Sequence, residues 1–475
     1  MTLPAPARLL LLPCAILLAG TLAARAPLTL KVVPAWAVQG ELEGSLFGAR
    51  AMTAGDVYHD GYSDLMIGAP QWSHGRGKAY LYRGSAQGLT QTPAWTAQGE
   101  AAGELFGDRV GQAGDLNGDG FADVFVAAPA WRAGLGRLTV FYGSAQGLAA
   151  APDLSLPGGG GEQFGDCTHP VGDLDGDGFD DLAVGAYGYD HARGRLLLFR
   201  GGPRGLSPSA AWEGQGEGPG DWYGYGVGAA GDVNGDGIVD LLTGGKYLGV
   251  KGKPAVGRVY LHYGTRQSLL APPVWTYTGT VTEANVGVRV TGAGDLDGDG
   301  FADVLVTAPG ANGKLGQAMI FKGSPHGLKA KPDLVLRGRD YGLQFFGQGA
   351  CPAGDVDGDG YDDLAIAGRD VLGRGKVLVF RGGPLGVQAQ PTWEIDGESG
   401  GDRFGWWVAP AGDLDGDGLA DLVISADSHV NGKVYVVYGR QFRQALGSHA
   451  ALRSTKIPDM NGYLWVAKPK TKKFR

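Results

Sequence analysis

Cysteine is almost absent from this 475-residue sequence: Cys14 lies in the N-terminal apolar stretch, and only Cys167 and Cys351 lie beyond it. A disulfide-stapled scaffold is therefore excluded. Histidine is sparse as well, eight residues with no position common to the modules, and neither a Gly-x-Ser-x-Gly elbow nor a zinc-ligand or metalloprotease spacing occurs. That removes the usual hydrolase and zinc chemistries. Basic residues are not in surplus, 41 against 49 acidic for a net charge of -8, so nucleic acid is not indicated as a partner. There is no Asn-x-Ser/Thr sequon, and no apolar run after the N-terminus is long enough to span a bilayer. The N-terminus itself has Arg8, then apolar residues from Leu9 to Leu22 broken by Pro13, with small residues at Thr21 and Ala23. This reads as a secretory signal over residues 1–23. Pro13 before Cys14 argues against a lipid-anchoring cysteine.

What the sequence has in abundance is glycine, 87 residues, and it falls at fixed positions of a repeat. The defining stretch is Asp173-Leu174-Asp175-Gly176-Asp177-Gly178-Phe179-Asp180-Asp181. Carboxylates at its first, third, fifth and ninth positions leave a main-chain carbonyl at the seventh to face the same point, and the glycines permit a tight, partly left-handed turn. Hard oxygen donors so placed suit calcium. The pattern recurs at Asp115, Asp232, Asp295, Asp355 and Asp413, and in altered form at Asp56, with first aspartates 59, 58, 59, 63, 60 and 58 residues apart. Aspartate and glycine are ordinary turn formers, so one such loop would mean little. Copies in one register are different, because clustered carboxylates repel one another without a cation. The first, third, fifth and ninth positions of these loops hold 25 of the 49 acidic residues, so the acidity of the chain reflects the loops and not a basic partner.

Nine residues before each first aspartate stands Phe47-Gly48, Phe106-Gly107, Phe164-Gly165, Tyr223-Gly224, Val286-Gly287, Phe346-Gly347 or Phe404-Gly405. A short strand fits between that pair and the loop, and an apolar strand follows the loop, so the ion-holding turn joins a hairpin. A third run such as Lys78 to Arg83, a Gly-Ser-type turn, and a fourth strand opening on Trp95, Leu154, Trp212, Trp275, Leu334 or Trp393 complete the module. Four antiparallel strands repeated seven times predict an all-β, seven-bladed β-propeller over residues 28–442. Module seven lacks its own fourth strand, whereas Pro34-Ala35-Trp36 precedes Phe47-Gly48 much as Pro93-Ala94-Trp95 precedes Phe106-Gly107. The N-terminal strand is expected to complete the last blade and to remove two open sheet edges. On such a ring Cys167 and Cys351 are three modules apart, which predicts two buried thiols and no bridge. Residues 443–475 read as a solvated basic tail, with Lys468, Lys470, Lys472 and Lys473 near its end.

Phe-Gly, the aspartate loop and then Ile67-Gly68-Ala69-Pro70, with Val126-Ala127-Ala128-Pro129 and Val306-Thr307-Ala308-Pro309 as variants, resemble the FG-GAP repeat of integrin alpha-chain propellers. The resemblance covers roughly residues 34 to 440. It implies about six to seven calcium ions, held at the first, third, fifth, seventh (main chain) and ninth loop positions. These are Asp115, Asn117, Asp119, Phe121 and Asp123; Asp173, Asp175, Asp177, Phe179 and Asp181; and Asp232, Asn234, Asp236, Ile238 and Asp240. The later loops supply Asp295, Asp297, Asp299, Phe301 and Asp303; Asp355, Asp357, Asp359, Tyr361 and Asp363; and Asp413, Asp415, Asp417, Leu419 and Asp421. The first loop keeps Asp56, Asp60 and Asp64 but has Tyr58 at the third position and His59 in place of glycine, so a weaker site is expected there. Val286 and Leu242-Thr243-Gly244-Gly245 also depart from the repeat wording. Integrin chains continue into leg domains, a spanning helix and a cytoplasmic tail, whereas this sequence stops. The expectation is a secreted module without a transmembrane anchor, outside a signalling heterodimer.

On the rim opposite the metal turns, Trp72 and Trp131 share one offset, sixteen residues past their loop aspartates, and Tyr189 follows at the next module with Trp222 nearby. They either form a ligand platform or cover blade ends. The predicted function is adhesion or binding of an extracellular protein or glycan, with calcium in a structural role. The alternative is an exported calcium-dependent polysaccharide-active enzyme of the lyase kind, and a third reading is a structural envelope protein.

Overall fold

A computed structural model of the chain describes residues 29–454 apart from 160, 161, 251, 267, 270 and 271. The expected secretory signal and the lysine-rich end of the tail lie outside the described residues. The strands form seven sheets of at least four strands each, with a minor two-stranded hairpin, Gly264–Thr265 with Ser268–Leu269, as an elaboration. Blade one shows the plan: Arg50–Gly55, Asp64–Ala69, Lys78–Tyr82 and Trp95–Gln98 pair antiparallel in that order. The second strand is buried at every one of its six residues, which accounts for its uninterrupted apolar wording.

The repeat signature has a backbone cause at each point. The glycine of each Phe-Gly pair has φ between 76° and 93° in all seven blades, and the residue before the pair is also left-handed, at 53° to 60°, although it is never glycine. This double reversal turns the bulky residue inward: Phe47, Phe106, Phe164, Tyr223, Val286, Phe346 and Phe404 are all at most 3 % exposed. The backbone of that residue then lies against a glycine of the preceding blade, as in the parallel bridges Gly77↔Phe106, Gly136↔Phe164, Gly257↔Val286 and Gly316↔Phe346. A Cβ on Gly77 would stand 2.0 Å from the Phe106 carbonyl oxygen. Tyr223 and Val286 keep the motif because the fit needs an apolar plug and a close backbone, not a phenyl ring.

Seven apolar clusters fill the gaps between successive blades. One of them joins Trp36, Phe47, Ile67 and Tyr80 to Ala409, Val423, Val434 and Val436, so blade seven packs on blade one. The N-terminal strand Trp36–Gln39 pairs antiparallel with Lys433–Val437, Trp36 opposite Val436, and completes the seventh blade as expected. Two features exceed the four-strand scheme. Leu30–Lys31 adds a parallel fifth strand to blade six, opposite Trp393 and Glu394. The expected tail begins inside a helix, Gly439–Ser454, in which Phe442 is fully buried against Trp393, with Ala445 and Leu446 packed on the same cluster. Four residues past the boundary read at 442, the chain is thus still docked on the ring.

Candidate metal sites and the two rims

Each loop is launched by a bulge: the glycine before the first aspartate is left-handed in all seven blades, and the ladder shifts register there, as between Thr53 and Gly55. The first aspartate then folds the loop around its own carboxylate. Asp115 Oδ1 accepts from the N–H of Gly118 and Asp119, and Oδ2 from Gly120 at 2.9 Å. The same pattern holds for Asp173, Asp232, Asp295, Asp355 and Asp413. Glycine at the fourth position is required twice. Its φ is 71° to 79°, and in most loops the seventh side chain of the next loop lies on it, as Phe179 does on Gly118 and Phe301 on Gly235. In the first loop His59 is forced to φ 53° instead.

The residues read as ligands come together unevenly. Ligand atoms of Asp173, Asp175 and Asp177 lie within 4.8 Å of one another, and so do those of Asp295, Asp297 and Asp299, of Asp355, Asp357 and Asp359, and of Asp413, Asp415 and Asp421. In the two amide loops Asn117 and Asn234 each donate to the fifth aspartate and accept from its N–H. The seventh residues Phe121, Phe179, Ile238, Phe301, Tyr361 and Leu419 donate their N–H to the fifth carboxylate. The ninth aspartates Asp64, Asp123, Asp181, Asp240, Asp303, Asp363 and Asp421 are at most 1 % exposed. Each accepts from the N–H of the second loop residue and of the glycine that opens the following turn, at 2.8 to 3.3 Å. Both oxygens are thus partly engaged in holding the hairpin, with one lone pair each to spare. Burial, helped by the other loop carboxylates and opposed by those N–H groups, pushes these acids up to about 7, and Asp363 to about 8.

The chemistry of the donor set fits a cation. Oδ1 of Asp175, Asp297, Asp357 and Asp415 is buried with no hydrogen-bond partner, which is unfavourable for an anion unless positive charge is supplied. Part of that charge is built in. Arg200 Nε stands 3.0 Å from Asp175, Lys322 Nζ 2.5 Å from Asp297, Arg381 Nε 2.7 Å from Asp357, and Arg440 pairs with Asp415. Where asparagine takes the third position, the residue corresponding to Arg200 is Tyr142 or Tyr263. An extra carboxylate and an extra cation therefore appear together, and the excess negative charge at the first, third, fifth and ninth positions is kept alike in every full loop. The sequence reading missed these partners, although the position before the leading glycine carried the signal for three of the four, Arg200, Lys322 and Arg381; in blade seven that position is Tyr438 and the cation is Arg440, just past Gly439. In the first loop Arg83 grips Asp60 through Nε and Nη2 at 2.9 and 2.6 Å and lies 4.3 Å over the Tyr58 ring.

On the opposite rim the four aromatic candidates fall into two local settings. Trp72, Trp131 and Tyr189 begin equivalent four-residue turns, Trp72–Gly75, Trp131–Gly134 and Tyr189–Ala192. Each lies beneath a cation of the following strand: Lys78 at 5.1 Å, Arg137 at 5.0 Å and Arg195 at 4.4 Å. Trp222 instead holds the left-handed position before Tyr223-Gly224 and packs with Tyr187, Tyr225 and Tyr247. Cys167 and Cys351 are free thiols buried at the channel wall, and burial pushes the Cys167 thiol up to about 12.

Ring, hairpin loops and Phe-Gly plugs define an FG-GAP repeat propeller, and the FG-GAP repeat family model matches residues 106–141, 170–199, 287–321 and 404–437. The chain carries FG-GAP repeats and resembles the N-terminal β-propeller of integrin alpha chains. It is 32% identical to integrin alpha-5 of Xenopus laevis over 223 residues, which is 45% of this chain and 20% of that protein. It is 32% identical to integrin alpha-PS2 of Drosophila melanogaster over 228 residues, 45% of this chain and 16% of that one. With human integrin alpha-IIb the identity is 36% over 178 residues, 36% of this chain and 17% of the relative. The match thus spans a fifth or less of these relatives, none of which bears the name of an enzyme. No helix among the described residues is long and apolar enough to cross a membrane.

Proposed function

We propose that the protein is an exported, calcium-stabilised propeller that serves as a non-enzymatic adhesion or ligand-binding module for an extracellular protein or glycan. The observation that carries this is the convergence of carboxylates, some with buried unpartnered oxygens, at the same bend of successive blades. Calcium is favoured over magnesium because five protein oxygens and water suit its larger, more adaptable shell. The ions would be held by the six full loops beginning at Asp115, Asp173, Asp232, Asp295, Asp355 and Asp413. In the first loop Arg83 supplies the positive charge. Bound calcium neutralises the loop carboxylates and fixes the first hairpin of each blade, which leaves the other rim as the rigid ligand-facing surface. Residues 1–23 would direct export, and 28–442 would be the functional unit.

The test is calorimetric titration of the chelator-stripped protein with calcium, followed by a protein and glycan array with and without the ion. Uptake of about six ions at affinities of about 0.1 to 1 mM is expected, as in extracellular modules, together with a lower melting temperature in chelator and array binding that needs calcium. A protein that takes up no calcium and melts at the same temperature in chelator would refute the reading.

A further inference from the structure

Six residues before its loop aspartate, each innermost strand places one residue at the Phe-Gly end of the central channel. Three of these seven positions are arginines, Arg50, Arg109 and Arg289, and a fourth is Trp407. Trp407 reaches toward blade one, its Nε1 donating to the Ala51 carbonyl at 2.9 Å. The guanidinium carbons of Arg289, Arg50 and Arg109 lie 4.3, 4.5 and 5.9 Å from its ring centroid. One indole face attracts a cation, but it does not neutralise three of them.

Nor do the surrounding acids. The only ion pair the three make among the described residues is that of Arg109 with Asp166, at 3.3 Å. The neighbouring Asp108 is held well above the usual carboxylate range by burial and by the Asp166 charge, so this pair of acids contributes about one negative charge. Among the described residues Arg50 and Arg289 donate to backbone carbonyls, those of Ala49 and Gln348. Arg109 is 8 % exposed, and its Nη1 is buried without an acceptor. Burial, and then repulsion from Arg109, pushes Arg289 down to about 10. Uncompensated charges held this closely are destabilising unless something anionic joins them.

We propose that this channel mouth is an anion site that receives the carboxylate of a single acidic side chain from a protein ligand. The proposal rests on the reading of this rim as the ligand-facing one. A guanidinium cluster offers several N–H donors in the planar fork that matches a carboxylate. The channel cavity, about 170 Å³ and lined by Arg109, Arg289 and Trp407, is smaller than the roughly 300 Å³ at which pockets for whole small ligands begin. It takes a side-chain end, not a run of sugar rings. An acidic polymer also needs cations in a row, whereas these converge on one ring in a chain of net charge -8.

The test uses the calcium-loaded protein at constant ionic strength and four probes: a capped Gly-Asp-Gly peptide, its Gly-Asn-Gly counterpart, sodium acetate and a soluble polyuronate. The aspartate peptide is expected to bind, the asparagine peptide about ten-fold or more weaker. Arg289→Gln is expected to lose about ten-fold in affinity for the aspartate peptide without lowering the melting temperature, because an uncompensated charge has been removed. Arg50→Gln provides the same reading if the first variant does not fold. Equal binding of the two peptides overturns the proposal, as does a variant that melts lower and binds the aspartate peptide unchanged. Acetate matching the peptide in affinity would assign the site to free carboxylates and overturn the peptide reading. Arginine-dependent binding of the polyuronate alone would overturn it in favour of glycan. A protein that takes up calcium yet fails the peptide arm sinks this inference only, and the stabilising role of calcium stands.

Discussion

At the scale of single residues, the first loop shows how the charge of an aspartate loop is replaced without losing its shape. Asp56 still accepts the N–H groups of Asp60 and Gly61, and Asp64 still holds its two backbone donors, so the loop folds as the others do. What differs is the charge at the centre, where Tyr58 removes a donor and Arg83 brings its own cation to Asp60. The combined substitution Tyr58→Asn, His59→Gly and Arg83→Tyr gives this loop the wording of the one at Asp115, with its Asn117, Gly118 and Tyr142. Calcium stoichiometry by calorimetry is expected to rise from six to seven ions per chain; an unchanged count would show that the aspartate pattern alone does not make the site. The convergence of the loop carboxylates was legible in the sequence because their spacing repeats. The basic partners were not, since a single Arg or Lys at a strand end looks like any solvated charge until the third loop position is compared with it blade by blade.

At the scale of elements, the N-terminal strand is the latch of the ring. Trp36 is 4 % exposed, stacks edge-on against Tyr82 of blade one at 5.6 Å, and pairs with Val436 of blade seven. Removing the indole leaves a cavity at the one blade built from both ends of the chain. Trp36→Ala is expected to destabilise by about 3 to 5 kcal/mol in chemical denaturation. The same change at Trp212, which is only half-buried on a strand continuous with its own blade, is expected to have a smaller effect. Equal losses at both positions would deny the strand its closing role. Strand starts were read correctly from the bulky residue that opens each fourth strand, because that residue must fill the gap between blades. The parallel pairing of Leu30–Lys31 with blade six was not readable. Two residues carry no periodicity, and the pairing is set by where the chain happens to pass, with Lys31 Nζ 2.6 Å from Asp396.

For the molecule as a whole, the loops are linked to their neighbours around most of the ring. Among the described residues, the eighth loop residue donates its N–H to the carbonyl of the first aspartate of the preceding loop at six of the seven junctions: Ala122 to Asp56, Asp180 to Asp115, Ala302 to Asp232, Asp362 to Asp295, Ala420 to Asp355 and Ser63 to Asp413, the junction between the loops at Asp173 and Asp232 being the exception. Closure itself could be inferred from a missing fourth strand at one end and a spare one at the other. This inter-loop chain could not, because it depends on backbone atoms that every residue shares. Seven buried aspartates sit in the linked loops, six raised to about 7 and Asp363 to about 8, against about 3.9 for an unfolded chain. Between those values the folded state holds more protons than the unfolded one. Their contribution to stability is therefore complete below about pH 4 and is lost as the pH rises through 7. In chelator, the melting temperature is expected to be higher at pH 5 than at pH 8. With calcium present the sign reverses, because the ion binds the ionised carboxylates and protons displace it, so the loaded protein should melt higher at pH 8 than at pH 5. Two scanning-calorimetry series across this range, with and without chelator, are expected to cross; parallel curves would mean that the buried carboxylates and the ion do not compete for the same oxygens.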